Sequence, residues 1–215
     1  MKPSGKFITL EGIDGCGKTT QAALLAEYLE QRGYPVRLTR EPGGTAVGRE
    51  VSKLVQTSRP EPLSPLAELT LMFAARVQHI EHIIVPSLAS GTHVICDRFS
   101  DSTIAYQGFG RGIPLDTIHL LDQRLCGGLR PGLTLVIDVE VQVAAARTSG
   151  RNRGAGVSDT RFEQEGLDFF SRVRGGYVAL SQQEPRRVLF IDGSGSVQVV
   201  HAVVRAAVEE FLRSS

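Results

Sequence analysis

Apolar positions along this chain fall into short, often β-branched runs, separated by longer stretches in which they recur every three to four residues. Short apolar runs bounded by glycine, proline or charge read as buried strands, and the longer spacing reads as one face of a helix. Strands are expected at Phe7–Leu10, Val36–Thr39, Thr92–Cys96, Leu133–Val139 and Val188–Ile191. Helices are expected over Thr19–Arg32, up to about Gln56, from about Leu66 to Ala89, and over Ser100–Gln107 and Leu115–Cys126. A further helix ends near Thr148, and Phe162–Gln183 and Val197–Leu212 complete the set. Three prolines between Arg59 and Pro65 mark a surface connection. Five strands alternating with helices predict an α/β fold, a five-stranded parallel sheet flanked by helices on both faces. Nothing divides the pattern, so residues 1–215 are expected to form one domain.

The first three strands each deliver a polar or glycine-rich cluster at their C-terminal ends: Gly12–Thr19, Arg40–Gly44 and Asp97–Arg98. Ligands of open parallel sheets bind at that edge. The first cluster, Gly12-Ile13-Asp14-Gly15-Cys16-Gly17-Lys18-Thr19, is a complete phosphate-binding loop between a strand and a helix. Its glycines let the backbone curl so that successive N–H groups point at phosphate oxygens. Lys18 adds a mobile cation, the Thr19 hydroxyl suits Mg²⁺, and the helix N-terminus favours negative charge. This pattern predicts a bound nucleoside triphosphate.

Asp97 closes an apolar strand beside that loop, where it can bind Mg²⁺ or cap the next helix. Arg98 follows it, and Arg40 ends the second strand; planar guanidinium groups there suit a second anionic ligand, or else surface ion pairs. On the long helix, Arg76 is the only charge in the stripe Leu69, Phe73, Arg76, Ile80, Ile83. It either faces a cleft or snorkels at the rim of the core, and Phe73 either stacks on a flat ring or is simply core. His79 and His82 flank Glu81, without further ligands for a metal site.

Composition narrows this little. A formal charge of +1 over 215 residues excludes a global basic field for nucleic acid. Charge is uneven, however: four arginines and one acid lie between Arg147 and Arg161, in a glycine-rich stretch. That segment, about 148–160, reads as a lid whose Arg147, Arg151 and Arg153 neutralise a phosphoryl group, or as a solvated basic loop. Three cysteines without C-x-x-C spacing suggest a reducing compartment, and no apolar stretch approaches membrane-spanning length. A cytoplasmic protein is expected, with no membrane or nucleic-acid partner.

Several segments together carry a resemblance over nearly the full length. They are Leu10 through Thr20, Thr39-Arg40-Glu41-Pro42-Gly43-Gly44-Thr45, Phe73-Ala74-Ala75-Arg76, Asp97-Arg98-Phe99 and Ala105-Tyr106-Gln107-Gly108. The chain resembles the bacterial thymidylate kinases, of the nucleoside monophosphate kinase class. The resemblance implies transfer of the ATP γ-phosphoryl group to dTMP, giving dTDP and ADP, with Mg²⁺ and as a homodimer. It implies donor binding by Gly12, Ile13, Asp14, Gly15, Cys16, Gly17, Lys18, Thr19 and Thr20, and metal binding by Thr19 and Asp97. Asp14 resembles the carboxylate near the sugar 3′-hydroxyl, and Arg40 and Arg98 the acceptor-phosphate clamps. Phe73, Arg76, Thr103 and Gln107 fall where the family holds thymine, and Lys18, Arg98, Arg151 and Arg153 where it places catalytic charge. The family's aromatic usually stands four residues before the base-binding arginine, where this chain has Met72. Its relatives often carry an arginine at the position of Ser52; here either Arg49 or Lys53 replaces it, or that contact is absent. Two other activities compete: a deoxynucleoside kinase with Glu41 as base, and a GTPase-type switch. The latter lacks its Asn-Lys-x-Asp motif, since the only asparagine is Asn152.

Overall fold

The five strands form one parallel sheet in the order β2-β3-β1-β4-β5. The computed structural model describes residues 5–58, 60–155 and 165–214, the side chains of 149–155 excepted. Strand β1 (Phe7–Glu11) is central and wholly buried, because neighbours cover both edges and helices cover both faces. It pairs with β3 (His93–Asp97) on one side and β4 (Leu133–Asp138) on the other, with Leu10 opposite both Asp97 and Leu135. The outer strands are β2 (Val36–Arg40) and β5 (Val188–Asp192). At the edge, β2 leaves Arg37 and Leu38 exposed, and its register sets Arg40 beside Asp97.

Helix α1 (Lys18–Gln31) follows the loop, and α2 (Ala46–Gln56) starts from Thr45, whose hydroxyl caps the Gly48 amide. The long apolar stretch is not one regular helix. It runs as α3 (Pro65–His79), a π-helical segment Ile80–Ile84, and α4 (Val85–Ala89). A second π-helical segment, Ile104–Gly110, succeeds the single turn α5 (Ser100–Thr103). There the Arg111 amide donates to the Tyr106 carbonyl, five residues back, at 2.9 Å. One extra residue per turn rotates the side chains beyond it about the helix axis, and such turns recur at functional sites. This one carries Tyr106 and Gln107 to the C-terminal edge of the sheet.

Helices α6 (Leu115–Cys126), α7 (Val141–Ala155), α8 (Leu167–Gln183) and α9 (Val197–Arg213) complete the layers. The helix expected to end near Thr148 instead continues to Ala155. Glycines 150 and 154 each cost about 1 kcal/mol of helix propensity, but no proline interrupts the run, and the Thr148 hydroxyl folds back to the Ala144 carbonyl at 3.0 Å. The expected lid therefore begins as helix; its remainder, 156–160, lies outside the described residues.

Candidate active site

A cleft of about 680 Å³ opens at the C-terminal ends of β1, β2 and β3, and its walls combine the phosphate loop with the two arginine-bearing strand ends. The loop runs with Gly12, Gly15 and Gly17 at φ 132°, 85° and 101°, a region that side-chain-bearing residues avoid. Space is as limiting as angle. A Cβ on Gly12 would lie 2.5 Å from the Ile137 carbonyl oxygen, and one on Gly15 would lie 2.2 Å from that of Ala144. Lys18 folds back over the loop, its Nζ 3.4 Å from both the Ile13 carbonyl and Asp14 Oδ1. Both contacts are long, so the ammonium can be drawn away by phosphate oxygens at small cost.

Thr19 and Asp97 meet as expected from their positions beside the loop. The Thr19 hydroxyl donates to Asp97 Oδ2 at 2.5 Å, while Asp97 Oδ1 is buried without a hydrogen-bond partner. A buried carboxylate oxygen left open beside a hydroxyl is the donor set that a hard cation with oxygen ligands needs.

Arg98 follows Asp97 in the left-handed conformation, at φ 72°. Two bonds from β1 hold that turn: the Arg98 amide donates to the Leu10 carbonyl at 3.0 Å, and the Phe99 amide to Glu11 Oε1 at 2.7 Å. The guanidinium is then gripped on both sides. Its Nη2 donates to Asp14 Oδ1 and to the Tyr106 hydroxyl, each at 2.9 Å. Its Nη1 donates to the Ser102 hydroxyl at 3.0 Å and that of Tyr177 at 3.3 Å. Burial raises the pKa of Asp14, but the charges of Arg98 and Lys18 outweigh it and hold the carboxyl well below the usual carboxylate range.

Beneath this arginine lies Glu11, fully buried, with Oε2 accepting from Ser102 at 2.5 Å and from Tyr177 at 2.8 Å. Tyr177 falls in no motif, and Glu11, within the Leu10–Thr20 segment, is legible only as an acid ending a largely apolar strand. Burial pushes the Glu11 carboxyl up to about 7, against the lowering pull of Arg98 and of the Ser102 and Phe99 hydrogen bonds, and Asp101 adds to the rise. Between pH 4.5 and about 7 the folded protein therefore keeps a proton that the unfolded chain has lost. This contribution to stability is full below 4.5 and is lost as pH rises through about 7. Thermal melts at pH 5 and pH 7.5 are expected to show Glu11→Gln losing less stability than the parent across that window, by on the order of 5 °C. An equal loss in both proteins would remove Glu11 as the source.

At the other end of the cleft, Arg76 is 3% exposed and yet lines the wall. Nε donates to Glu41 Oε2 at 2.9 Å, and Nη2 to Thr103 Oγ1 at 2.8 Å and the Phe99 carbonyl at 3.1 Å. Its Nη1 is buried without a hydrogen-bond partner. Snorkelling is thus excluded: the charge is buried, paired and one donor short. Glu41 spends its other oxygen on His79, whose Nδ1 lies 2.9 Å away and whose Nε2 faces the Thr39 hydroxyl at 2.7 Å. With both oxygens engaged, Glu41 is a brace for Arg76 rather than a base for a sugar hydroxyl.

Of the two readings of Phe73, a ring stacked in the cleft or a core side chain, its burial fits the second, which corrects its placement among the base-binding residues. Its ring is 1% exposed, packed below Arg76 with the guanidinium 5.4 Å from its centroid, and it does not line the cleft. Met72 does. The two positions are 100° apart on the helix, and α3 turns Phe73 inward. Arg40, Thr103, Gln107 and Arg147 all line the cleft, together with Tyr106, which lies in the Ala105–Gly108 segment, and with Ser102 and Gln56, which no motif singles out. Neither Arg49 nor Lys53 lines it, and Lys53 pairs instead with Glu50 on the surface at 2.9 Å. The side chains of Arg151 and Arg153 lie outside the described residues.

Known proteins are similar to this chain in both sequence and fold. The family model described as thymidylate kinase matches residues 10–204. A thymidylate kinase of Desulfovibrio desulfuricans is 46% identical over 209 residues, 96% of either chain. One of Neisseria gonorrhoeae is 48% identical over 201 residues, 93% of either. The crystal structure of the Ehrlichia chaffeensis thymidylate kinase superposes with a TM-score of 0.75 at 37% identity, covering 96% of this chain and 99% of that one. A phosphate loop, two arginines at neighbouring strand ends beside it and a buried arginine braced at the far end of one cleft thus coincide with full-length similarity, and the chain belongs to the thymidylate kinase family, ATP-dependent phosphotransferases acting on a nucleoside monophosphate.

Proposed function

We propose that this cleft transfers the γ-phosphoryl group of ATP to dTMP, giving dTDP and ADP, with the donor on Gly12–Thr20 and the acceptor between Arg98 and Arg76. The observation that supports it most is the pair of cationic groups, Arg98 and Lys18, converging on Asp14 Oδ1 at 2.9 and 3.4 Å. A phosphate monoester has its second pKa near 6, so the attacking oxygen is already mostly ionised at neutral pH and no general base is needed. What the reaction requires is positioning and charge neutralisation. Arg40 and Arg98 hold the acceptor phosphate. As it takes the guanidinium, Asp14 is released to the sugar 3′-hydroxyl. Arg76 offers its open Nη1 to the base, beside Met72, Thr103 and Gln107. Lys18 spans the donor phosphates, and Arg147, with Arg151 and Arg153 from the lid segment, adds charge at the transferring group.

Thr19 and Asp97 would hold Mg²⁺, for which the open Asp97 Oδ1 is suited. The ion supplies charge neutralisation on the donor phosphates when bound. A coupled ADP-release assay tests the reading. Turnover is expected with dTMP and Mg-ATP, and none with thymidine; thymidine turnover without dTMP turnover would overturn it.

Exposed Val47 and Leu54 on α2, Leu66 on α3, and Leu120 and Leu125 on α6 lie on helices packed side by side, which supports a homodimer through that layer. Sedimentation equilibrium showing monomers at micromolar concentration would overturn it. The three cysteines are free and buried, in keeping with a reducing, cytoplasmic setting, and among the described residues no helix is long and apolar enough to cross a membrane. Fractionation of cells that places the protein outside the cytoplasm would refute that placement.

A further inference from the structure

We propose that Glu68, a residue outside the cleft wall, sets base selectivity by fixing which end of the Gln107 side-chain amide faces the substrate. The inference rests on the reading that the base sits against Arg76 and Gln107. Glu68 is fully buried on α3, and its Oε1 accepts from Gln107 Nε2 at 2.6 Å. Behind it stands Arg111, with Nε 3.4 Å from Glu68 Oε1 and Nη2 3.2 Å from Oε2. Arg111 is itself held by Glu165 at 2.5 Å and lies over the Phe169 ring, 4.6 Å from its centroid.

A carboxylate paired with a guanidinium can only accept hydrogen bonds. The NH₂ end of Gln107 is therefore committed to Glu68, because turning the amide over would set its carbonyl against a buried anion. Of the two ends of the amide, the one then turned toward the cleft that Gln107 lines is the carbonyl oxygen. A carbonyl there favours a pyrimidine with a hydrogen on N3, as thymine and uracil have. It repels cytosine, whose N3 carries a lone pair. A site built to pair one polar edge rejects the inverted edge strongly, since both partners lose their bonds on burial. Glu68 thus acts as a positioning residue: it touches no substrate atom and works through Gln107.

The test compares kcat/KM for dTMP and for 5-methyl-dCMP, which matches dTMP in size and methyl group and inverts the N3 and C4 edge. In Glu68→Gln, Arg111 takes the carbonyl end of the new amide, the NH₂ end turns toward Gln107, and Gln107 is driven to rotate. The ratio favouring dTMP is expected to fall at least tenfold, through the acceptor KM, with the KM for ATP unchanged. Glu68→Asp keeps the charge beside Arg111 and withdraws the acceptor from Gln107. It serves if the first variant does not fold, with a fall in the same direction expected. Gln107→Ala separates the two ideas. If it raises the KM for dTMP while the Glu68 variants leave the ratio unchanged, or lower both substrates equally, the role of Glu68 is overturned and the base site stands. If Gln107→Ala leaves both the KM for dTMP and the ratio unchanged, the placement of the base itself is wrong.

Discussion

Arg98→Ala is expected to lower kcat/KM for dTMP by at least a hundredfold, a loss of about 2.7 kcal/mol or more in transition-state stabilisation. The expectation comes from how much structure is spent on placing this guanidinium. A non-glycine residue at φ 72° sits in a sparsely populated region that costs on the order of 1 kcal/mol or more unless its surroundings enforce it. Here the turn is enforced by the Leu10 carbonyl and the Glu11 carboxyl group, and the side chain is oriented by Asp14, Ser102, Tyr106 and Tyr177. A planar fork in that cage can face one phosphate with two donors. Alanine removes the fork and also leaves Asp14 and the Ser102, Tyr106 and Tyr177 hydroxyls without that partner, so rates are compared on protein that thermal melting shows to be folded. Lysine at the same position retains charge without the fork and is expected to recover only part of the rate. Steady-state kinetics of the three proteins decide it, and near-normal turnover in the alanine variant would exclude Arg98 from the chemistry.

Gly15→Ala is expected to cost about 3 kcal/mol of stability, roughly 10 °C in Tm for a chain of this length, together with most of the activity. The added Cβ meets two fixed obstacles in α7, the Ala144 carbonyl oxygen at 2.2 Å and the Thr148 hydroxyl at 2.6 Å, on a backbone at φ 85°. Either the loop amides shift from their phosphate-binding curl or α7 moves off the loop. Gly17→Ala is the control, because its φ of 101° is as unfavourable but nothing lies within 4 Å of the added atom. Backbone strain alone is expected there, at about 1 kcal/mol. Calorimetry that finds the two substitutions equally costly would show that the wall of α7 is not what constrains the loop. The same wall explains why the loop can hold no side-chain cation at position 15, which leaves α7 and the lid segment as the sources of additional charge in the proposed reaction.

Much of the site was legible along the chain because its signals are local. A phosphate loop needs glycines at set spacing whatever surrounds it, and a strand that ends in Asp97-Arg98 delivers both residues to one edge of any parallel sheet. Where expectation and structure part, the missing information was a rotation. Met72 and Phe73 both belong to a plausible apolar face, and only the roll of α3 against the sheet turns Phe73 into the core and leaves Met72 on the cleft. The π-helical turn at Ile104–Gly110 is invisible to a 3.6-residue period, yet it carries Tyr106 and Gln107 to the cleft. Helix α7 runs past the glycines that mark its expected end, since glycines lower helix propensity without stopping a helix that packing can extend.

By itself the sequence determined the sheet, the order of its elements, the triphosphate loop and the cations at the strand ends, because each depends on residues close together in the chain. Only the tertiary structure decided which polar groups answer one another across it. Glu41 braces Arg76, Glu11 and Tyr177 underpin Arg98, and Glu68 orients Gln107. Those pairings join residues tens of positions apart, and no spacing rule encodes them; burial forces each charge or amide to find a partner, and the packing of helices on the sheet determines which partner is within reach.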